Sequence, residues 1–289
     1  MSTPTATSPS APPPVRLEPH PDEARLGVLR LDRPPVNALS QAMWDSLAVV
    51  GAQLHDSSEF RALVVTGGPR HFAAGADIAE LVDLSVEDFD RRNRVLQGAF
   101  SAIATAPQVV VAAVNGYALG GGCELALAAD FRIAGRRTVL GLPEVTLGIM
   151  PGSGGTQRLA HVVGLARAKD LVLTGRRVDV EEALAIGLVD EVVDDAGSGG
   201  DAVFDRAVER ALTFARGPVA LRHAKRAVAA SVSLPIEAGL ALEADLITES
   251  FASDDARHGL RSFLTDGPGK ADFRASPMSP APPGDRSTP

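Results

Sequence analysis

Two glycine-rich stretches, each carrying one glutamate, constrain this chain more than anything else in it. The first is Gly116-Tyr117-Ala118-Leu119-Gly120-Gly121-Gly122-Cys123-Glu124; the second is Pro143-Glu144 followed by Pro151-Gly152-Ser153-Gly154-Gly155-Thr156. Glycine lets backbone come close to a ligand and turn its N–H groups toward it, and a glutamate beside it supplies a proton acceptor or donor. A site of backbone donors plus two carboxylates suits chemistry next to a carbonyl group.

Around these stretches, short apolar runs at 26–31, 61–66, 109–114 and 188–193 are bounded by Gly, Pro, Asn or Asp and read as strands. Helical periods at 40–54, where Ser40 can cap the first turn, and at 86–105, ended by Pro107, follow them. This alternation predicts an α/β architecture of sheet layers covered by helices. Asp195 to Gly200 is a linker signal, after which strands stop and helices are expected at 201–215, 218–230, 235–250 and 253–264. Pro218 and Pro235 stand at two of their starts. Such a helical layer either caps the first part or packs against another subunit.

Composition narrows the function classes. A chain of 289 residues with 45% apolar content fits one large domain with a helical appendage. The net charge of −8 disfavours general attraction to nucleic acid or anionic lipid, and the pairs Arg91-Arg92 and Arg136-Arg137 are too short for a basic face. The single cysteine, Cys123, excludes an intrachain disulfide and reads as a small core residue; the six histidines show no metal-ligand spacing. No stretch approaches the roughly 20 apolar residues of a membrane span, and the Ser/Thr/Pro-rich start lacks the order of a secretory leader. A cytoplasmic, metal-free protein is expected. Residues 1–14, with five prolines, and 275–289 are expected to be disordered tails.

The chemistry-bearing segments come in a fixed order. Phe72-Ala73-Ala74-Gly75-Ala76-Asp77-Ile78 follows the 61–66 strand and offers backbone N–H groups without side-chain obstruction. Gly120 to Gly122 open a helix, where unpaired N–H groups and the helix dipole favour negative charge. The Lys-Ser/Thr of a P-loop and the spacing of a dinucleotide fingerprint are both missing. Glu124 falls in that helix's first turn, and Glu144 falls in an otherwise apolar stretch. Gly152 to Gly155 open a further helix whose dipole points toward the same place.

In this order and spacing, 72–78, 115–124, Leu142-Pro143-Glu144 and 151–159 resemble the crotonase superfamily, and most closely enoyl-CoA hydratase, over roughly residues 24–270. The resemblance implies a spiral of ββα units over 15–196, with a C-terminal helical region over 197–274 that serves oligomerisation and covers the CoA pocket. It implies a homotrimer or homohexamer. The substrate would be an acyl-CoA thioester, with no cofactor, since CoA is part of the substrate, and with no nucleic-acid or membrane partner. The thioester oxygen would sit between the N–H groups of Ala74 and Gly121. Glu124 and Glu144 would share one proton and hold the water that adds to C3 of a trans-2-enoyl-CoA, as in fatty-acid β-oxidation. Ala73, Ala76, Asp77 and Ile78 match the CoA path, and Phe263 and Lys270 would contact CoA from the C-terminal region. A Δ3,Δ2-enoyl-CoA isomerase or another crotonase-fold acyl-CoA enzyme, and a non-catalytic or RNA-binding paralogue, are the alternatives. Both glutamates being present favours hydration.

Overall fold

A computed structural model describes residues 13–195 and 202–274. In chain order its strands are β1 (Val15–His20), β2 (Glu23–Leu31), β3 (Ala62–Thr66), β4 (Val109–Val114), β5 (Tyr117–Leu119), β6 (Phe131–Gly135), β7 (Val139–Gly141), β8 (Val178–Asp179) and β9 (Glu191–Val193). The helices are α1 (Gln41–Asp56), α2 (Ile78–Leu81), α3 (Val86–Thr105), α4 (Gly121–Ala128), α5 (Gly155–Val163), α6 (Leu165–Thr174), α7 (Val180–Ala185), α8 (Ala202–Ala215), α9 (Ala220–Ala230), α10 (Ile236–Ala252) and α11 (Asp254–Asp266).

The main sheet has the order β1-β2-β3-β4-β6-β9; β1 and β2 are antiparallel and the rest run parallel. Every residue of β3 and β4 is buried, which explains their unbroken apolar sequence: a strand covered on both faces has no polar side to show. Alternation still sorts the side chains. Leu63, Val65 and Val110 join Trp44 and Leu47 of α1 and Phe100 and Ile103 of α3 on one face. Ala62, Val64 and Val111 meet Val203, Ala207 and Ala211 of α8 on the other. A second, smaller sheet, β5-β7-β8, carries the polypeptide from β4 into the glycine-rich turns.

The expected 109–114 strand and 86–105 helix coincide with β4 and α3, and the four C-terminal helices appear within two residues of their expected bounds. Differences have local causes. The 188–193 run pairs only from Glu191, because Leu188 O is taken by Arg132 Nε at 2.9 Å. That same arginine hides β6 from a search for apolar runs; it is buried, with Nη1 on Ala129 O at 2.8 Å and Nη2 on Asp190 at 3.3 Å. Ser40 occupies the N-cap of α1 without a capping bond, and Glu80 Oε2 accepts from Gln41 N–H at 2.7 Å instead. Of the expected tails and linker, only Pro13, Pro14 and Asp195 are described; the remaining residues lie outside the described ones. No described helix is long and apolar enough to cross a membrane.

One buried side chain braces the loop that follows β3. Asn37 adopts φ 53°, a conformation asparagine tolerates better than most residues, and its Nδ2 donates to Gly67 O, His71 O and Phe72 O at 2.8, 3.0 and 3.1 Å. Its Oδ1 accepts from Arg33 N–H at 2.8 Å. Asn37→Ala leaves these buried groups unpaired and is expected to lower stability by about 1–3 kcal/mol, measured as an earlier denaturation midpoint at unchanged slope.

Candidate active site

Glu124 lies in the first turn of α4 and is buried, 3% exposed. Its Oε1 accepts the N–H of Ser153 at 2.7 Å and of Gly155 at 2.8 Å. Gly155 is the first residue of α5, whose leading N–H groups have no partner within the helix, so this carboxylate caps a helix thirty residues away in sequence. A Cβ on Gly155 would lie 2.9 Å from Glu124 Oε1; glycine is what lets the carboxylate come in. The second glycine stretch, expected to contribute a dipole alone, therefore does more: it binds the first stretch's glutamate directly.

Glu144 sits in a 3-10 turn, Pro143–Leu147, opened by Pro143 and closed by Gly148 in the left-handed region. Its Oε1 faces Gly120, where a Cβ would be 3.1 Å away, and Gly120 has φ 52° and ψ −126°, open only to glycine. Its Oε2 is buried and has no hydrogen-bond partner among the described residues. Burial and then the charge of Glu124 push the Glu144 carboxyl up to about 7, opposed by its own backbone N–H. Burial also raises Glu124, but the Gly155 and Ser153 N–H groups and the Arg158 guanidinium pull against it. The donors that oppose burial at Glu124 have no counterpart from another described residue at Glu144, which makes Glu144 the readier of the two to hold a proton. Cys123, next to Glu124 in α4, is a core thiol, raised by burial to about 12.

The backbone donors are arranged differently from the sequence expectation. Phe72 N–H donates to Asn115 O, Ala73 N–H to Tyr117 O, and Ala73 O accepts from Leu119 N–H, at 2.7, 2.9 and 3.0 Å. Ala74 N–H donates to Val36 O at 3.0 Å, so it is already committed and cannot serve as the expected oxyanion donor. The next candidate is two residues on. Leu39 bridges Ala76 in parallel fashion, with Leu39 N–H on Gly75 O at 2.8 Å and Asp77 N–H on Leu39 O at 3.1 Å. In that pattern the N–H of Ala76 itself points away from Leu39. Among the described residues it has no acceptor, and neither does the N–H of Gly121 at the start of α4. The Gly75 backbone lies against Leu119 and Gly120, which places this loop beside the α4 N-terminus.

The other expected CoA contacts divide. Ala73 is fully buried with its backbone spent on β5. Asp77 caps α2 through Ala79 N–H and pairs with Arg33 at 2.6 Å, so its side chain is engaged within the protein. Ile78 is half exposed at the rim of the same loop. Phe263 and Lys270 lie exposed at the far end of the C-terminal layer, and the chain brings neither to the carboxylate pair by any described contact.

Backbone N–H groups without an acceptor among the described residues, beside one buried and one half-buried carboxylate, can polarise a carbonyl oxygen while moving a proton on a neighbouring carbon, which defines the class of enzyme. A sequence model of the family described as Enoyl-CoA hydratase/isomerase matches residues 22–273. The chain is 35% identical over 246 residues to the short-chain-enoyl-CoA hydratase of Clostridium acetobutylicum, covering 84% of this chain and 92% of that one. A crystal structure of an enoyl-CoA hydratase from Bacillus anthracis matches with a TM-score of 0.81 and 34% identity, over 88% of this chain and 96% of that one. DspI of Pseudomonas aeruginosa matches with a TM-score of 0.82 and 33% identity, over 91% and 98%. The chain belongs to the enoyl-CoA hydratase/isomerase family, and its fold is the crotonase fold with a helical C-terminal region.

The clamp on Glu124 is open to a direct test with two glycines. Gly155→Ala is expected to drive the carboxylate off its donors and destabilise the protein by about 1–3 kcal/mol. Gly98→Ala, inside α3 with nothing within 4 Å of the new Cβ, should stabilise it by about 0.5–1 kcal/mol. Equal effects from the two substitutions in thermal unfolding would contradict the close approach at Gly155.

Proposed function

We propose that this protein is an enoyl-CoA hydratase that reversibly adds water across the 2,3 double bond of trans-2-enoyl-CoA thioesters, giving 3-hydroxyacyl-CoA. The observation that carries the reading is the asymmetry of the carboxylate pair. Glu124 is held by two backbone donors, whereas Glu144 keeps a buried, unpartnered oxygen and accepts the proton.

The thioester oxygen lies between the N–H groups of Ala76 and Gly121, which stabilise the charge that develops on it; a comparable donor is worth about 10²- to 10³-fold in rate. Protonated Glu144 delivers its proton to C2. Ionised Glu124 takes a proton from the water whose oxygen attacks C3, so the added H and OH sum to one water. The proton then returns from Glu124 to Glu144, and the pair ends as it began. No cofactor is needed, because the thioester carbonyl itself polarises the alkene.

A homotrimer or homohexamer fits the exposed apolar side chains of the C-terminal layer, among them Val228, Ile236, Ile247, Phe251 and Leu264. In that assembly Phe263 and Lys270 reach CoA from a neighbouring copy. A cytoplasmic place in β-oxidation completes the proposal. The isomerase alternative rests on the free oxygen of Glu144, which alone suffices to shuttle a proton between C2 and C4; there Glu124 would be dispensable.

Purified protein is expected to consume crotonyl-CoA or a longer 2-enoyl-CoA without added metal or nucleotide, followed as loss of enoyl-thioester absorbance. Lack of turnover at every chain length contradicts the assignment. Glu144→Gln and Glu124→Gln should each lower kcat by about 10²- to 10⁴-fold with CoA binding retained. Full activity in Glu124→Gln would favour isomerisation. The active form carries one proton on the pair, so kcat/KM is bell-shaped. It falls as pH rises through about 7, where Glu144 loses that proton, and falls again at lower pH as Glu124 gains one. Hydration and dehydration should share this profile, since the equilibrium constant for adding water contains no proton.

A further inference from the structure

Glu124 is gripped by a loop that is itself gripped from behind. Asn93, Gln97 and Ser101 recur every four residues and so form one stripe along α3. Asn93 Nδ2 and Gln97 Nε2 both donate to Gly152 O, each at 3.2 Å. Arg158 on α5 reaches back with Nη1 to Ser153 O at 2.9 Å and with Nη2 to Ser101 Oγ at 3.2 Å. None of these side chains donates to Glu124; Asn93, Gln97 and Arg158 hold carbonyls of the segment whose N–H groups do, and Ser101 anchors Arg158.

The peptide plane makes this consequential. Gly152 C=O and Ser153 N–H belong to one rigid trans unit and point in opposite directions. Fixing the oxygen toward α3 therefore aims the N–H toward Glu124 Oε1, 2.7 Å away. Donation to that carbonyl also polarises the same amide and strengthens its outgoing bond. Gly152 is suited to this: a Cβ there would sit 2.8 Å from Asn93 Oδ1.

Resting on the hydratase reading for its kinetic consequence, we infer that Asn93, Gln97 and Arg158 are positioning residues that hold the Gly152–Gly155 backbone against Glu124 and so orient the carboxylate that activates water. The charged groups facing Glu124 are Arg158 from α5 and Glu144 from the 3-10 turn, with the protonated thiol of Cys123 on its own helix. The described contacts from α3 are neutral. Arg158 combines both actions. It holds Ser153 O, and its half-buried charge favours ionised Glu124 over ionised Glu144.

The test uses the full chain with Asn93→Ala/Gln97→Ala together, Arg158→Gln and Arg158→Lys, each checked for native circular dichroism. Carbon-13 NMR of labelled glutamate carboxyls, assigned through Glu124→Gln, follows the titration of Glu124 without substrate. Loosening the clamp is expected to move this titration to higher pH in the double variant and further in Arg158→Gln, with partial return in Arg158→Lys. In turnover, kcat falls by up to about 10²-fold while KM changes little, and the acid limb of the profile moves up with the titration. An unmoved Glu124 titration in folded double and Arg158→Gln variants overturns the inference. A moved titration in a protein that hydrates no enoyl-CoA supports the clamp and overturns the hydratase reading. If the Arg158 variants alone fail to fold, the double variant decides.

Discussion

The carboxylate of Glu124 stands at the positive ends of two helices, and the active region is organised around it. It sits in the first turn of α4 and accepts the leading N–H of α5, so one buried anion meets the dipoles of both. Its hydrogen bonds to Ser153 and Gly155 offset part of the cost of burial; without them an anion so deeply placed would protonate. The residues that surround it follow from that need. Gly155 is small so the anion can come close, and Arg158 and the α3 stripe anchor the donating loop. Among the described residues no other residue donates to Glu144 Oε2, and burial leaves Glu144 the readier proton carrier of the pair.

A second constraint fixes the backbone donors. The loops after β2, β3 and β4 are laced together by Ala73 with β5, Ala74 with Val36, and Leu39 with Gly75 and Asp77. This lacing consumes most of the N–H groups of the loop. Among the described residues, the N–H groups of Ala76 and Gly121 are among those it leaves without an acceptor. Parallel strands buried on both faces hold the base of these loops, so the site inherits the rigidity of the sheet at its carboxyl edge.

Much of this was legible in the sequence, for reasons that also explain what was not. β4 and α3 show because six consecutive apolar residues and a twenty-residue helical period leave little alternative. The pairing of Glu124 with Glu144 is carried by motifs whose spacing the fold preserves. β5, β7 and β8 have two or three residues each, too few for any periodicity. The exchange of Ala74 for Ala76 has a similar origin: adjacent small residues look alike in a sequence, and the free N–H is decided by Val36 and Leu39, far back along the chain. The clamp on Glu124 was illegible because its donors lie 29 and 31 residues away and are backbone atoms without a residue-type signature. Asn93, Gln97 and Arg158 read as ordinary helix-surface residues until the loop they hold is seen.

The central claim is that the pair shares one proton and that it resides on Glu144. Infrared titration of the ligand-free protein measures this directly, because a buried protonated carboxyl has a C=O stretch separate from that of a carboxylate. The account predicts a band that disappears as pH rises through about 7, is absent in Glu144→Gln, and persists in Glu124→Gln with a titration moved to lower pH by loss of the neighbouring charge. A band that survives in Glu144→Gln and vanishes in Glu124→Gln would put the proton on the other carboxylate and contradict the account.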